Sequence, residues 1–460
     1  VAPGRLLRPP SQAAVGNPLR VGLLGLGVVG GGLVRLLQEN GEIITNRLGA
    51  GLEIRRVLVR SLDKPRMVSL PEERLTTNPR DILEDPDIDI IVEVMGGVEP
   101  AREYILAALE RGRPVVTANK AVLAQHGPEL FRAAYAHKVG LYFEASVAAG
   151  IPVIRSLVDG LSANQVQTLM GIINGTTNYI LTRMIEDGAD FSVALEQAQA
   201  AGYAEADPTS DVDGWDAAYK LAILASLAFE TYVPVESIYV EGIRRVTPVD
   251  IAYCRDLGFT VKLLAIAKNV NGSIEARVHP TLVPQHHPLA AVRDVFNAIY
   301  LSGNAAGELM LYGRGAGSLP TASAVASDLI EAADDLLRGQ FPLLVRRSPG
   351  EWPDKRVQPI TETRTRFYIR FLVHDEPGVL AAIASSFGRN GVSIESVIQK
   401  GRGRSPVDLV FVTHGAREAN VQQALREIEP LAVVYQVASV IRVEDGAGKE
   451  ESESGGSPRG

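Results

Sequence analysis

Cysteine is all but missing. Cys254 is the only one in 460 residues, so no disulfide can form within the chain, and no Cys/His cluster has the spacing of metal ligands. A reducing setting fits that usage, and a cytoplasmic protein is expected. Long apolar runs are lacking too: none reaches the roughly 20 residues of a membrane span. The opening "VAPGRLLRPPSQAAVGNPLR" has arginines and prolines but not the continuous apolar core of a secretory signal. There is no basic excess, since the formal net charge is −8, which argues against nucleic acid as the main partner. With 46% hydrophobic and 22% charged residues, the composition excludes a chain disordered throughout. The length allows two to four domains. Disorder is expected only at the ends: residues 1–18, and residues 445–460, where Gly, Ser and Glu dominate.

Glycine, by contrast, is abundant and patterned. "LRVGLLGLGVVGGGLVRLLQEN" runs from an apolar strand through Gly25, Leu26, Gly27, Val28, Val29 and Gly30 into a helix. Gly-x-Gly-x-x-Gly in that context needs a tight turn at Gly25, close backbone approach to a pyrophosphate at Gly27, and helix-to-strand packing at Gly30. A second strand, "LEIRRVLVR", follows at the distance a dinucleotide fold requires. Where an NAD-selective protein places an acid for the ribose hydroxyl, this strand ends in Arg60, with Lys64 and Arg66 after it. Cations there suit a 2′-phosphate, so NADP is favoured and NAD remains possible; the alternative is that they are ordinary solvated surface charges. "DIDIIVEVMGG", "EPAREYILAALERG" and "RPVVTANKAVLA" continue the alternation of strand and helix, which predicts a doubly wound parallel sheet over residues 19–145. Ligands bind such sheets at the carboxyl ends of the strands, where Gly96, Thr117, Asn119 and Lys120 fall.

The middle of the chain concentrates acids. "GIINGTTNYILTRM" places Asn174 to Asn178 at a strand-to-helix turn, suited to ligand donors or to a helix cap. "AEADPTSDVDGWDAAYKLAILASLAF" then sets Glu205, Asp207, Asp211, Asp213 and Asp216 ahead of Lys220. Asp213 is a plausible N-cap with Asp216 at the third helical position, and Asp216 and Lys220, four apart, share one helical face.

These stretches together resemble the homoserine dehydrogenases. "GLGVVGGG", "TANKAVLAQHG", "YFEASVAAGIPVIRSL", "GIINGTTNYILTRM", "GYAEADPTSDVDGWDAAYKLAIL" and "GRGAGSLPTASAVASDL" occur in the family's order between Val21 and Leu329. The resemblance implies NAD(P)H-dependent reversible reduction of L-aspartate 4-semialdehyde to L-homoserine, on the route to threonine, methionine and isoleucine. It implies Lys220 as proton donor and acceptor and Lys120 as the group that polarises the carbonyl. Glu205 and Asp216 would receive the substrate's ammonium or hydroxyl, with Asp211 in support. Gly202, Gly315 and Gly317 join Gly25–Gly30, Arg60, Lys64, Gly96, Thr117 and Lys120 as expected cofactor contacts. A monovalent cation, typically Na+, is implied on the carbonyls of Val147, Ala149 and Ile151 beside Glu144; Ala148 stands where the family usually has glycine. Residues 146–320 would then form an α+β catalytic and dimerisation domain, and a helix near 321–338 would complete the first domain. No kinase-like segment lies ahead of Val21, so fusion to aspartate kinase is not expected.

After a Pro- and Arg-rich linker at 341–365, residues 366–444 read as strand, helix, strand, strand, helix, strand, the ferredoxin-like βαββαβ order. This segment resembles an ACT regulatory domain. The resemblance implies an amino-acid effector, threonine by analogy, held by Asp375, Gly378, Val379, Leu380, Asn390, Ser393 and Ile394 across a domain pair; a homodimer or higher homo-oligomer, built through the middle domain, is expected. The competing readings are a related amino-acid-linked dehydrogenase with another substrate and a nucleotide- and amino-acid-binding sensor without turnover. Both lysines are retained, which disfavours the sensor.

Overall fold

The computed structural model describes residues 18–347, 352–400 and 406–445. The expected N-terminal extension, apart from Pro18, and the expected tail, apart from Asp445, lie outside the described residues, as do four positions of the linker. Two compact units account for the chain. The first comprises residues 1–166, 218–236 and 311–355; the second comprises 167–217, 237–310 and 356–460.

In the first unit six parallel strands, β1 (Leu19–Leu24), β2 (Leu52–Leu58), β3 (Leu75–Thr76), β4 (Ile90–Glu93), β5 (Val115–Thr117) and β6 (Leu141–Tyr142), lie in the order β3-β2-β1-β4-β5-β6. The order reverses direction beside β1, which creates the switch point where dinucleotides bind in such sheets. Val21, Leu23, Val92 and Val116 are fully buried, which accounts for the uninterrupted apolar runs in the sequence. Their cover includes a late helix, Ser318–Arg338, bounded by Gly317 (φ 126°) and Gly339 (φ 65°). Its Ala322, Ala326 and Ala333 face leaves room for close packing on the helix Val28–Leu48, where a Cβ on Gly32 would come within 2.8 Å of Ser318 Oγ. Small residues on both helices therefore permit the contact.

The second unit is built on one mixed sheet. Its strands are β7 (Val166–Ile172), β8 (Tyr239–Val240), β9 (Phe259–Val270), β10 (Ser273–Pro284), β11 (Phe296–Gly303), β12 (Gly307–Arg314), β13 (Val357–Gln358), β14 (Arg364–Val373), β15 (Ile394–Lys400), β16 (Val407–Thr413), β17 (Ala416–Arg417) and β18 (Val434–Val443). The main path runs β12-β11-β7-β9-β10-β18-β14-β16-β15. The last four strands and the helices Val379–Arg389 and Glu418–Ile428 form the βαββαβ tail, closed over Phe371, Phe387 and Phe411, whose rings stack edge to face or tilted at 5.4–6.2 Å.

The tail is continuous with the middle strands. β18 pairs in parallel with β10 at Thr281–Arg442 and Leu282–Val443. Buried charges stitch the seam: Arg370 donates to Asp250 (2.7 Å from Nε) and Asp408 (3.0 Å), Tyr368 donates to Asp250, Arg442 forms a fork on Glu418 (2.7 and 2.8 Å) and reaches Glu241, and Glu444 receives Lys268 and Arg277. The segment read as a linker carries a short helix, Leu343–Arg347, and β13, which pairs with β10. Within the first unit, Trp352 packs 5.4 Å from Phe131.

Candidate active site

The glycine turn has the geometry its spacing predicts. Gly25 sits at φ 106°, where only glycine is unstrained, and a Cβ on Gly30 would come within 2.3 Å of the Gly25 carbonyl. Gly27 differs: a Cβ there would touch nothing within 4 Å, so its backbone faces open space at the start of the helix Val28–Leu48. An open backbone at a helix N-terminus fits a pyrophosphate. β2 ends at Leu58, two residues before the expected Arg60, and its last carbonyl accepts the Gly25 N–H. Arg60 and Lys64 are exposed just beyond it. Ser318 Oγ donates to the Val28 carbonyl, which brings the Gly315–Gly317 turn beside the same helix start.

At the ends of β4 and β5, Gly96 and Gly97 are left-handed (φ 75° and 79°) and Thr117 Oγ1 donates to Glu93 at 2.6 Å. Glu93 is fully buried and also receives the Met95 N–H; burial pushes its carboxyl above the usual range, against those hydrogen bonds. Sequence reasoning missed Glu93, although an acid closing an apolar strand beside two glycines is a readable signal. Asn119 caps the helix Lys120–His137 and donates to the Gly97 carbonyl, so Lys120 opens that helix at the ligand edge of the sheet. The helix is tied to Trp215–Phe229 by Gln125, which donates to the Tyr219 hydroxyl at 3.1 Å, and to the segment just after that helix by Tyr232, which donates to the Ala124 carbonyl. Lys220 follows Tyr219 and is half-buried, as Lys120 is.

In the second unit, Asp211 and Asp216 converge on one amide. Asn174, the N-cap of the helix Gly175–Asp187, donates to Asp211 at 2.7 Å and to Asp216 at 2.8 Å. Asp216 is one turn before Lys220 on a single helix. That helix begins at Trp215, which corrects two expectations: Asp216 is its second residue, and Asp213 stands two positions ahead with its carboxylate on Arg244 (2.5 Å), its place having been taken by the left-handed Gly214 (φ 89°). Glu205 is exposed in the turn after the helix Phe191–Ala200, where Gly202 is left-handed (φ 76°) and outside the unit that holds Gly25–Gly30.

The segment 144–151 of the first unit is almost wholly buried. Both Glu144 carboxylate oxygens are committed, to the N–H groups of Ile154 (2.8 Å) and Arg155 (2.9 Å), and its own N–H donates to Asp328. Burial raises the Glu144 carboxyl and pushes Asp328 up to about 8, with Arg155 opposing it. Ala148 (φ 52°) and Ala149 (φ 31°) are both left-handed, at a cost of about 1–2 kcal/mol each for a residue with a Cβ, so the glycine usual in the family has a conformational reason. The Gly150 N–H donates to the Arg314 carbonyl, setting this loop against the "GRGAG" turn.

Comparison with known proteins bears on this arrangement. Sequence profiles match in three blocks: the homoserine dehydrogenase NAD-binding domain at residues 25–144, the homoserine dehydrogenase domain at 152–330, and an ACT domain at 367–433. A homoserine dehydrogenase of Synechocystis sp. is 49% identical, the match covering 92% of this chain and 99% of that protein. The chain belongs to the homoserine dehydrogenase family. A homoserine dehydrogenase of Bacillus subtilis is 44% identical over 93% of this chain and 98% of its own. Among solved structures, the homoserine dehydrogenase of Thiobacillus denitrificans superposes with a TM-score of 0.87 at 44% identity, over 94% of this chain and 99% of that one. A hyperthermophilic archaeal homoserine dehydrogenase in complex with NADPH gives 0.60 at 30% identity, over 68% of this chain and 97% of that one. The enzyme is therefore an oxidoreductase that interconverts L-aspartate 4-semialdehyde and L-homoserine with a nicotinamide cofactor. No helix among the described residues is long and apolar enough to cross a membrane.

The ACT domain of this homoserine dehydrogenase contains a concavity of about 340 Å³. Asp375, Gly378, Val379 and Leu380 line it, together with His374 and Gln399, which sequence reasoning did not single out. Gly378 is left-handed (φ 98°) and starts the helix Val379–Arg389, while Gln399 donates to Asp375 at 3.3 Å. Asn390, Ser393 and Ile394 do not line this concavity: Asn390 is at the far end of the same helix, donating to the Ser386 carbonyl.

Proposed function

We propose that this homoserine dehydrogenase prefers NADPH, uses Lys220 as the proton donor and acceptor with Lys120 polarising the substrate carbonyl, and is inhibited by an amino acid bound to its ACT domain. The observation that carries the chemistry is the helix Trp215–Phe229, which bears Asp216 and Lys220 one turn apart with Asp211 beside Asp216 through Asn174. Asp216 and Glu205, supported by Asp211, hold the ammonium or hydroxyl of the substrate. The nicotinamide supplies the hydride. Lys220, cationic in the reducing direction, delivers a proton to the alkoxide oxygen and stabilises the negative charge growing there; in the oxidising direction the neutral amine takes that proton back.

The NADPH preference rests on Arg60 and Lys64, exposed beyond the strand that hydrogen-bonds the glycine turn, and on the archaeal relative solved with that cofactor. Gly25–Gly30, Gly96, Thr117, Gly315 and Gly317 complete the cofactor site in this reading, with Gly202 nearer the substrate acids in sequence. A monovalent cation, Na+ by family resemblance, is assigned to the carbonyls of Val147, Ala149 and Ile151; the Glu144 side chain is engaged by backbone N–H groups, so its role there is to hold the loop. The effector is an amino acid, L-threonine by analogy, at Asp375, Gly378, Val379 and Leu380. Asn390, Ser393 and Ile394 remain in the reading as the contribution of a second ACT domain in a homodimer. The setting is cytoplasmic, in keeping with the single buried Cys254.

The test is NADPH oxidation with L-aspartate 4-semialdehyde, repeated with NADH and with L-threonine. Faster turnover with NADPH and inhibition by threonine are expected. Lys220→Ala should lower turnover by orders of magnitude with NADPH binding nearly intact; normal turnover in that variant refutes the assigned role.

A further inference from the structure

Asn174 is 5% exposed and uses both ends of its amide. Oδ1 accepts the Thr177 N–H at 2.8 Å and the Thr177 hydroxyl at 2.9 Å, which is the ordinary work of an N-cap. Nδ2 donates its two protons outward, one to Asp211 Oδ1 and one to Asp216 Oδ2. The orientation is dictated by chemistry: turned over, the NH2 group would face the donor of Thr177 and the carbonyl oxygen would face two carboxylates.

The two acids come from either side of a sharp bend. Asp211 lies on the short helix Thr209–Val212 and Asp216 in the first turn of Trp215–Phe229, with left-handed Gly214 between them. Gly242 packs directly under that bend, since a Cβ there would come within 2.3 Å of the Val212 carbonyl. Two carboxylates held this close repel each other and favour protonation of one of them. An amide that donates to both favours their ionised forms and adds no charge of its own.

We propose that Asn174 is a positioning residue for the homoserine dehydrogenase reaction: it holds Asp211 and Asp216 together at a fixed spacing, so that Asp216, supported by Asp211, receives the ammonium or hydroxyl of the amino-acid substrate. The inference rests on the assignment of those acids to substrate binding, and it separates two roles of one side chain, the cap and the clamp.

Serine caps a helix about as well as asparagine but is too short to reach two carboxylates. Asn174→Ser should therefore fold, keep its affinity for NADPH within about twofold, and raise KM for L-homoserine roughly tenfold or more, with a smaller change in kcat. Asn174→Ala should share that KM defect and also melt at a lower temperature. The KM defect then follows the amide while the melting temperature follows the cap. A KM within twofold of wild type in Asn174→Ser overturns the proposal. A second measurement needs neither turnover nor that variant: in the ligand-free protein with 15N-labelled asparagine, Asp211→Asn and Asp216→Asn should each shift one of the two Asn174 side-chain amide protons. Unshifted resonances overturn the clamp even if the catalytic reading holds. A wild-type enzyme that failed to turn over homoserine would remove the substrate assignment while leaving the amide shifts to decide the contact.

Discussion

Lys262 offers a quantitative test of the second unit. It lies on β9, is 2% exposed, and donates to Asn178 Oδ1 at 3.3 Å and to the Val292 carbonyl. Asn178 in turn donates to the carbonyls of Asp294 and Phe296, so this lysine holds the helix Gly175–Asp187 against the strands behind it. Burial, with a smaller push from Arg293, lowers its pKa from 10.5 to about 8. Below pH 8 both folded and unfolded states carry the proton, and the folded state bears the full cost of the buried charge. Between pH 8 and 10.5 the folded state loses the proton while the unfolded chain keeps it, so the unfolded state binds more protons and stability rises with pH. At ~1.4 kcal/mol per tenfold, the whole effect is about 3 kcal/mol. Lys262→Met removes the titration. Chemical unfolding, followed by Trp215 fluorescence in a Trp352→Phe background, should show wild type gaining about 3 kcal/mol relative to Lys262→Met between pH 7.5 and 10.5. A constant difference across that window refutes the argument, because a lysine titrating at its ordinary value in both states gives no slope.

Other perturbations discriminate the remaining parts. Gly27→Ala should leave the melting temperature almost unchanged, since φ is −84° and the added methyl meets nothing within 4 Å, yet weaken NADPH binding about tenfold or more by intruding on the pyrophosphate; equal affinity measured by fluorescence titration counts against the cofactor site. Gly30→Ala, whose methyl would collide with the Gly25 carbonyl, should lose both stability and binding. Arg370→Met leaves Asp250, fully buried, without its guanidinium and should cost about 3–5 kcal/mol, seen as a lower unfolding midpoint; a loss below about 1 kcal/mol means water reaches Asp250.

What could be read in the sequence was whatever local geometry forces onto residue type. Gly25 and Gly30 had to be glycine, one for its left-handed φ and the other for its approach to a carbonyl, so their spacing announced the nucleotide turn. The alternation of apolar strands with helices likewise gave the doubly wound sheet and the βαββαβ tail. Features that depend on partners distant in sequence were not legible. Arg277, Arg442 and Glu444 stand on or just after strands with no local mark of burial; they are buried where β10 and β18 pair in parallel, and no local pattern encodes that pairing. Asn174 shows the same boundary within one residue. Its capping role follows from its place before a helix, and a cap was one of the two readings its neighbourhood allowed. Its two outward hydrogen bonds depend on Asp211 and Asp216 being folded back by Gly214, and only the folded chain reveals that the residue which starts one helix also spaces the acids at the start of another.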